Sequence, residues 1–366
     1  MSFTAARAQV LGFRMRAQQL HRESGALEDT AVLDIGVQDT GPDGGLWALA
    51  NRGVDVAALA DDDLATAWTI RGAPHLYLRS ALPAVATAVQ PFSEADAGRR
   101  IYDASKPLKA AGIANLTALD EVAKAMRAVV TRPKVKGEVS TELTARMSPP
   151  YLRFCRPCNA THLYEMPFRL AALRAGIELQ PGTSPPVLQR IPGFRRDTRP
   201  SLPHDVVRAY LRLLGPATPQ HVADYIDAPV KEVRARWPED AVEVDVEGER
   251  RWVLSADAER LDGPRSAGVR LLGPFDLFLQ ARDRPLLVPD AARVKELWPM
   301  LGRPGAVLAR GEVAGVWRPR KSGSRFRVQV TAWARMTASL RRAVEEQAER
   351  LAAFRRVQLS GVDIAS

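Results

Sequence analysis

The chain has only two cysteines, Cys155 and Cys158, among its 366 residues. Two cysteines cannot form the disulfide framework of a small secreted protein, so a reducing, cytoplasmic environment is expected. Long hydrophobic runs are also missing, because no window approaches the ~18 uncharged apolar residues of a membrane-spanning helix. Residues 1–20 carry charges throughout, and no signal peptide is expected there. These absences exclude disulfide-built and membrane-spanning classes and predict an ordinary globular protein.

Familiar catalytic motifs are missing too. No P-loop, dinucleotide-binding glycine motif or serine–histidine triad occurs in a suitable context. Cys155 and Cys158 are followed by His162, which suggests zinc, but structural zinc sites have four protein ligands and no second cysteine pair exists. We therefore expect no metal and no cofactor, and we expect the two cysteines to be packing residues near the start of a helix.

Positive charge is unevenly distributed along the chain, whose formal net charge is +10. Residues 101–200 hold 16 basic and 8 acidic residues, and residues 301–366 hold 13 and 5, whereas both other blocks are slightly acidic. Arginine outnumbers lysine 44 to 8, which GC-rich coding alone could produce. Such a bias would raise arginine everywhere, however, so the clustering favours a basic surface for a polyanionic partner.

The periodicity of residues 204–254 predicts three short helices followed by a hairpin. A helix over 205–214 ends at Gly215-Pro216, a second begins at the capping residue Thr218, and a third covers 229–237. The hairpin turns at Glu247-Gly248. Two small amphipathic helices joined by a short turn are typical of a helix-turn-helix, and the hairpin adds a wing.

Two earlier segments repeat this plan less clearly. The first has a helix over 4–22, another over 46–51 and a third over 61–68 that begins at Asp61-Asp62-Asp63, followed by a strand pair over 69–78 broken at Gly72-Ala73-Pro74. The second has helices over 116–131, 135–147 and 152–164. Beyond residue 263 the pattern becomes strand-rich, with a closing helix over 339–354. The fold class is therefore predicted as α+β, with tandem winged-helix domains and a small C-terminal β-domain.

The predicted domain organisation has five parts. They are a first winged-helix unit (1–100), a second (101–180), a Pro/Arg-rich connector (181–203), a third winged-helix unit (204–262), and a β-domain with its closing helix (263–366).

A cluster of cations surrounds a probable hairpin tip in the C-terminal part. Arg318, Arg320, Lys321, Arg325 and Arg327 flank the turn, and such a hairpin suits the phosphates or minor groove of DNA. The alternative is a solvated turn in an arginine-rich protein.

Several segments together resemble the AlkZ-like (YcaQ-like) winged-helix family of bacterial DNA glycosylases, which excise bulky N7-alkylpurines and unhook interstrand crosslinks. They occur in the family's order and span nearly the whole chain. The segments are Gly36-Val37-Gln38-Asp39-Thr40 with Leu46-Trp47, Arg71–Leu76, Cys155–Glu165, Gly273–Asp276, Arg282-Asp283-Arg284 and Gly311–Arg318. The resemblance implies a tandem of winged helices with a C-terminal β-domain, forming a concave surface for DNA. It also implies that Arg282 and Arg284 bind DNA.

The resemblance implies a catalytic pair at Gln38 and Thr40. The family has Gln-x-Gln or Gln-x-Asp there, so this chain departs at Thr40, which leaves its activity open. Residues i and i+2 of an extended segment share a face, so Gln38 and Thr40 should point together while Asp39 points away. Arg71 and His75 are expected to brace the first wing. The alternative is that Gln38 and Thr40 are ordinary polar residues near a turn.

Two functions follow from these observations. The first is a monofunctional DNA glycosylase that hydrolyses the N-glycosidic bond of N7-alkylated or crosslinked purines. The second is a non-catalytic winged-helix protein, either a transcriptional regulator or a factor that protects adducts by binding them. Both imply double-stranded DNA as partner, no membrane, a monomer, and a cytoplasmic protein that associates with the nucleoid when bound.

Overall fold

The computed structural model describes residues 3–41, 44–264, 268–322 and 325–365, without the side chains of residues 321 and 322. Within these residues the protein is α+β, with helices and strands interleaved along the chain. The strands are β1 (Phe3–Ala5), β2 (Val37–Gln38), β3 (Leu64–Trp68), β4 (Pro74–Leu78), β5 (Lys134–Val135), β6 (Leu152–Cys155), β7 (Ala160–Leu163), β8 (Ile177–Leu179), β9 (Val187–Arg190), β10 (Ala241–Val246), β11 (Glu249–Leu254), β12 (Val269–Leu272), β13 (Gly305–Ala309), β14 (Glu312–Ser322), β15 (Arg325–Ala332) and β16 (Gln358–Ala365).

The helices of the same residues are mostly short. They are α1 (Arg7–Ala17), α2 (Gly44–Ala50), α3 (Leu82–Ala88), α4 (Glu94–Arg100), α5 (Ser105–Ala110), α6 (Asn115–Val129), α7 (Lys136–Thr144), α8 (Glu165–Arg174), α9 (Val206–Leu214), α10 (Pro219–Ile226), α11 (Val230–Arg234), α12 (Ser255–Ala258), α13 (Arg284–Leu287), α14 (Ala291–Leu297) and α15 (Ala338–Phe354). None of these described helices has the length and apolar character to cross a bilayer.

The three helices and the hairpin predicted for residues 204–254 are confirmed as α9, α10, α11 and β10–β11. Asp205 caps α9 by accepting bonds from the amides of Val207 and Arg208 at 3.0 and 2.9 Å. Thr218 caps α10, as predicted, accepting from the His221 amide at 3.2 Å while the His221 ring accepts from the Thr218 amide. These caps satisfy amides that would otherwise be left unpaired at the helix starts.

The N-terminal segment packs on this unit as well as on the residues that follow it. Strand β1 runs parallel to β10 and completes the sheet β1-β10-β11, and α1 lies against α9. The largest hydrophobic core therefore joins residues from α1, from α9 and α10, and from the C-terminal part.

A six-stranded sheet with the order β2-β4-β3-β8-β9-β5 connects residues 37–78 with residues 134–190. The helix predicted over 61–68 is wrong, because Leu64–Trp68 forms β3 in the interior of this sheet. All five residues of β3 are buried, and the strand pairs with β4 on one side and β8 on the other. Burial between two partners overrides the local signal of the three preceding aspartates.

The helix predicted over 152–164 is also wrong. Helices α6 and α7 form as predicted, but the next segment is the hairpin β6–β7, a separate two-stranded sheet. Pro157 falls in the middle of the segment, where it would break a helix, and Asn159 adopts a positive φ of 47° in the turn. The hairpin is therefore the conformation that these turn residues favour.

The strand-rich C-terminal part is confirmed as a five-stranded sheet with the order β12-β13-β14-β15-β16. Helix α15 is also confirmed, within one residue of its predicted start. The chain continues beyond this helix into β16, which pairs in parallel with β15 and was not predicted. The division into domains stays a prediction. The six-stranded sheet crosses its boundaries near residues 100 and 180, and the sheet β1-β10-β11 also crosses the boundary near residue 203.

Two buried aspartates bind the C-terminal part to the rest of the molecule. Asp276 accepts two bonds from the Arg52 guanidinium, at 2.9 and 3.0 Å, and both side chains are fully buried. Asp283 accepts two bonds from Arg14, at 2.9 and 2.7 Å, and a further bond from Arg251. Burial raises the pKa of Asp283, but the arginines outweigh burial and lower it overall.

We expect Asp283→Asn to reduce the free energy of unfolding by about 3–5 kcal/mol near pH 7, because it leaves the buried Arg14 without a carboxylate and Arg251 with only the exposed Glu249. A group with a lowered folded pKa stabilises the protein above its unfolded pKa, and that contribution disappears as the pH falls through the folded pKa. The difference in the free energy of unfolding between wild type and variant should therefore become smaller below about pH 4. Urea denaturation at several pH values measures this difference.

Asp240→Asn is the matched control, because Asp240 also accepts two bonds from one arginine, Arg208, yet keeps 43% of its side chain exposed. An exposed pair contributes about 0–1 kcal/mol. Equal losses of unfolding free energy in Asp283→Asn and Asp240→Asn would contradict the anchoring role of Asp283.

Candidate functional site

The strand β2 holds Gln38 at the edge of the six-stranded sheet. Its register places Gln38 opposite His75 of β4. Gly36, just before the strand, has φ +86° and lies against the Tyr77 ring, where a Cβ would come within 2.4 Å of a ring carbon. The glycine therefore lets β2 approach β4, while Val37 is buried and Gln38 is turned outward.

Gln38 and Thr40 lie together, as the alternation predicts. The Gln38 amide nitrogen donates to the Thr40 hydroxyl oxygen at 3.1 Å. Asp39 points elsewhere and accepts a bond at 2.8 Å from the Gly45 amide in the first turn of α2. Burial raises the pKa of Asp39, against the opposing effect of this bond. Asp39 is thus a helix-capping residue, and the catalytic roles of Gln38 and Thr40 stay predictions.

Gln38 and Thr40 line a cavity of about 590 Å³. This volume is within the ~300–1,000 Å³ of small-molecule sites. The opposite walls come from the C-terminal part, with Phe275 from the segment anchored by Asp276 and with Trp317 and Arg318 from β14. The cavity therefore combines the polar pair with two aromatic side chains, of which Trp317 is almost fully buried, and with four arginines, Arg303, Arg318, Arg320 and Arg355.

A second cavity of about 200 Å³ adjoins the first and shares Gln38, Phe275 and Arg303 with it. Four arginines from three parts of the chain line it: Arg71, Arg282, Arg284 and Arg303. No acidic residue is among its lining residues in the described part of the chain. Gln38 thus stands between an aromatic cavity and a cationic one.

The four guanidiniums are close enough to disfavour one another's charge. Burial, and then Arg282, lower the pKa of Arg71 and of Arg284. Burial also lowers the pKa of Arg303, with further contributions from Arg284, Arg282 and Arg71. The buried Nε of Arg282 has no hydrogen-bond partner among the described residues. Such a set of partly buried cations favours a bound anion.

Gln280 connects the cationic cavity to Gln38 and was not predicted. Its amide nitrogen lies 3.4 Å from the Gln38 carbonyl oxygen, and its carbonyl oxygen lies 3.4 Å from Arg71 Nη2. Both contacts are long for hydrogen bonds. The sequence offered one signal, since Gln280 stands two residues before Arg282, but no periodicity distinguishes it from a buried polar residue.

Arg71 and His75 occupy different environments although they are neighbours in sequence. Arg71 stacks on Tyr225 of α10 at 5.0 Å and faces the cationic cavity. His75 is fully buried beneath β2, with Nδ1 near the Thr69 hydroxyl at 3.0 Å and the Ala73 carbonyl at 2.9 Å. Burial, with Arg71, lowers the pKa of His75 to about 3, so its ring is neutral near pH 7. His75 supports the sheet and lines neither cavity.

The cations predicted at the hairpin β14–β15 lie in different environments in the structure. Arg318 and Arg320 are exposed and line the aromatic cavity, where Arg318 donates to the Gly302 carbonyl at 2.5 Å and Arg320 to Gln329 at 2.6 Å. Arg327 pairs instead with Asp363 of β16, and Arg325 is exposed near the turn. The Lys321 side chain lies outside the described residues.

The expectation that Cys155 and Cys158 pack near a helix start is wrong. Cys155 ends β6 and Cys158 follows in the turn to β7, where it is exposed. Both are free thiols, and the structure brings them close to His162 on β7.

Inorganic phosphate should bind the four arginines and stabilise the protein by about 1.4 kcal/mol at a tenfold excess over its Kd. We expect Arg284→Gln combined with Arg303→Gln to abolish this effect, because two of the converging guanidiniums are removed. Thermal denaturation with and without phosphate measures it, with the exposed Arg342→Gln of α15 as control. Equal stabilisation of the double variant and the wild type would contradict an anion site here.

Comparison with known proteins adds a family and a fold. The sequence model of a family described as "DNA glycosylase AlkZ-like" matches residues 32–354. Among solved structures, this chain is similar in fold to the DNA glycosylase AlkZ of Streptomyces sahachiroi, with a TM-score of 0.75 and 22% identity. That similarity covers 99% of this chain and 100% of the other. A comparison with curated proteins gave no match.

Proposed function

The chain belongs to the AlkZ-like DNA glycosylase family, and we propose that it hydrolyses the N-glycosidic bond of N7-alkylated or crosslinked purines in double-stranded DNA. The observation that carries this proposal is the pair Gln38 and Thr40, hydrogen-bonded at 3.1 Å on the wall between the aromatic and cationic cavities. One cavity suits a purine and the other suits a phosphate, and the pair lies between them.

The chemistry explains why a neutral pair suffices. An N7-alkylated purine is already cationic and leaves without a strong general acid, so the protein must stabilise an oxocarbenium-like sugar and orient a water. The Gln38 amide nitrogen is engaged by Thr40, which leaves the Gln38 carbonyl oxygen to face the developing positive charge. Among the described residues, only the long 3.4 Å contact from Gln280 competes for that oxygen.

Thr40 occupies the position where the resemblance implies Gln or Asp. Its hydroxyl oxygen accepts the bond from Gln38, so its hydrogen is available to a water or to the substrate. A hydroxyl has less reach than an amide and no charge. We infer that Thr40 orients the attacking water and that Gln38 supplies most of the charge stabilisation.

The cationic cavity and the hairpin β14–β15 support DNA binding around this pair. Arg282 and Arg284 flank Asp283, whose buried ion pairs hold both arginines at the cavity. Arg318 and Arg320 add exposed charge at the other rim. Contacts of this kind bind phosphates and position the duplex without specifying sequence. The protein acts on DNA as a monomer in this proposal.

A tandem winged-helix architecture is part of the same proposal. Helices α9 to α11 with the hairpin β10–β11 have the order of one winged helix, and α6 and α7 with the hairpin β6–β7 have the order of another. The first unit would include α2 and the hairpin β3–β4.

A non-catalytic function is the second candidate, as a transcriptional regulator or an adduct-binding protection factor. Thr40 favours it, because the second position of the pair carries neither an amide nor a carboxylate. The same two cavities would then hold an adduct without cleaving it.

The wild type should release N7-alkylguanine from alkylated duplex DNA and leave an abasic site with the strand intact. Strand cleavage through a Schiff base is not expected, because no lysine lines either cavity among the described residues. We expect Gln38→Ala to lower the single-turnover rate by about 10²–10³ and to leave the Kd for DNA unchanged, since its carbonyl acts on charge that develops in the transition state. Gln90→Ala, at a half-buried glutamine that lines neither cavity, is the control.

The same assay separates the two candidate functions. Thr40→Gln should preserve or increase the rate if Thr40 is a weaker form of the second catalytic group. Binding without release from N7-methyl, bulky N7 and crosslinked substrates would establish the non-catalytic function. A fully active Gln38→Ala would mean that the catalytic site lies elsewhere.

Changing Arg318, Arg320 and Arg325 together to alanine should weaken duplex binding and leave the melting temperature unchanged, because the three side chains are exposed. Each lost phosphate contact should reduce the slope of log K against log salt by about 0.9. Fluorescence anisotropy at several salt concentrations measures this, with Arg208→Ala as the control. Normal binding by the triple variant would make the cluster a solvated turn.

A further inference from the structure

The turn of the hairpin β6–β7 brings together three side chains that bind metals. The two sulfurs of Cys155 and Cys158 and a ring nitrogen of His162 all lie within 4.8 Å of one another. Among the described residues, no other three histidine, cysteine or acidic side chains form such a group. The cluster is separate from Gln38 and lines neither of the cavities beside it.

The hairpin register accounts for this grouping. Cys155 pairs with Ala160, and Arg153 pairs with His162 two residues further from the turn. Directly paired residues and residues two apart share a face of a strand pair, so Cys155 and His162 project from the same face. Cys158 lies in the turn itself, where the positive φ of Asn159 reverses the chain.

A hydrogen bond to the main chain assigns the tautomer of His162. Its Nδ1 lies 2.8 Å from the Leu163 carbonyl oxygen, a group that only accepts hydrogen bonds, so Nδ1 carries the proton. The lone pair of the neutral ring is therefore on Nε2. Metal-binding histidines are held by this kind of bond from the second ring nitrogen to a carbonyl or carboxylate.

We propose that Cys155, Cys158 and His162 bind a Zn²⁺ ion, with water as the fourth ligand. This site would differ from the structural sites with four protein ligands on which the expectation of no metal was based. Two thiolates and one imidazole are the donors that zinc favours in proteins. A tetrahedral ion with Zn–S distances of about 2.3 Å separates two sulfurs by about 3.8 Å, so the observed cluster needs to contract by about 1 Å at most. A side-chain adjustment in an exposed turn supplies that movement.

The local charge is compatible with the ion. Arg153 and Lys136 act on Cys158 as positive charges and would oppose a bare cation. Two thiolates cancel the charge of Zn²⁺, so the assembled site is neutral.

The hairpin has a structural need for such a site. Two-stranded sheets are marginally stable by themselves. The base of β6–β7 is anchored, with the Leu163 amide donating to Thr144 at 3.3 Å and the Tyr164 amide donating to the Tyr151 carbonyl at 3.1 Å. The other end carries an exposed Phe154 and an exposed Cys158. Zinc would join the turn to both strands at the end that packing leaves unsupported.

Titration of the reduced, chelator-treated full-length protein with Co²⁺ tests the proposal directly. We expect about one Co²⁺ per chain, with thiolate-to-cobalt absorption in the near ultraviolet and the strong visible bands of tetrahedral coordination. Zn²⁺ should displace the cobalt stoichiometrically and remain bound through dialysis. Both measurements are independent of any reaction on DNA.

Variants identify the ligands. Cys158→Ser removes an exposed thiol, and His162→Asn can keep the bond to Leu163 while removing Nε2. Each should weaken Zn²⁺ binding by about a hundredfold, at the upper end of the 10- to 100-fold loss caused by removing a partner of a ligand. Thr161→Ala, on the opposite face of β7, is the matched control and should bind like the wild type. Melting temperatures in chelator verify that all variants fold.

Three results would overturn the proposal. One is a reduced wild type that binds no Co²⁺ or Zn²⁺. Another is bound metal without thiolate absorption. The third is equal zinc affinity in Cys158→Ser and the wild type. Rapid disulfide formation between Cys155 and Cys158, together with no metal binding by the reduced form, would identify the pair as a redox site instead.

Discussion

The segment from Gly273 to Arg284 is held by buried ion pairs, and the candidate site depends on them. Asp276 and Asp283 are charged groups in the protein interior, and each is compensated by arginines from distant parts of the chain. Removing charges from water is costly, so such pairs persist only where the geometry is good and the remaining hydrogen bonds are made. Phe275, which precedes Asp276, and Gln280, which lies between the two aspartates, reach the Gln38 side of the site.

In two three-residue segments of the site, the central aspartate and its neighbours have different roles. In the segment Arg282-Asp283-Arg284 the central carboxylate turns inward and is neutralised, while the flanking guanidiniums face the cationic cavity. In the segment from Gln38 to Thr40 the central carboxylate also turns away, to cap α2. Each segment thus uses an acidic residue for anchoring and presents its neighbours to the cavity.

Local signals predicted the parts of the fold that local interactions determine. The capping residue Thr218 and the helices of the third unit were predictable, and so were the strand-rich C-terminal part and α15, because caps and amphipathic periods act within a few residues. Strand β3 was not predictable, since its conformation depends on pairing with β8, more than a hundred residues later. The hairpin β6–β7 had a local signal in Pro157 that the helical period obscured.

The same distinction holds for the site. The shared face of Gln38 and Thr40 follows from strand alternation, and this could be predicted. The joining of Gln280, Arg71 and Arg303 around them depends on how the C-terminal part packs on the first sheet, which no local pattern encodes. Cys155 and Cys158 show a different limit of prediction from sequence. Their spacing with His162 was visible, but only the hairpin register shows that the three side chains meet.

The parallel pairing of β1 with β10 has a consequence for synthesis on the ribosome. Residues 3–5 emerge first, yet their partners, residues 244–246, emerge only after two thirds of the chain. Helix α1 likewise gains its contacts with α9 only when residues 206–214 have emerged. The strands of the six-stranded sheet have all emerged by residue 190. The N-terminal strand therefore stays unpaired after that sheet is able to form, as is typical of proteins whose contacts are distant in sequence.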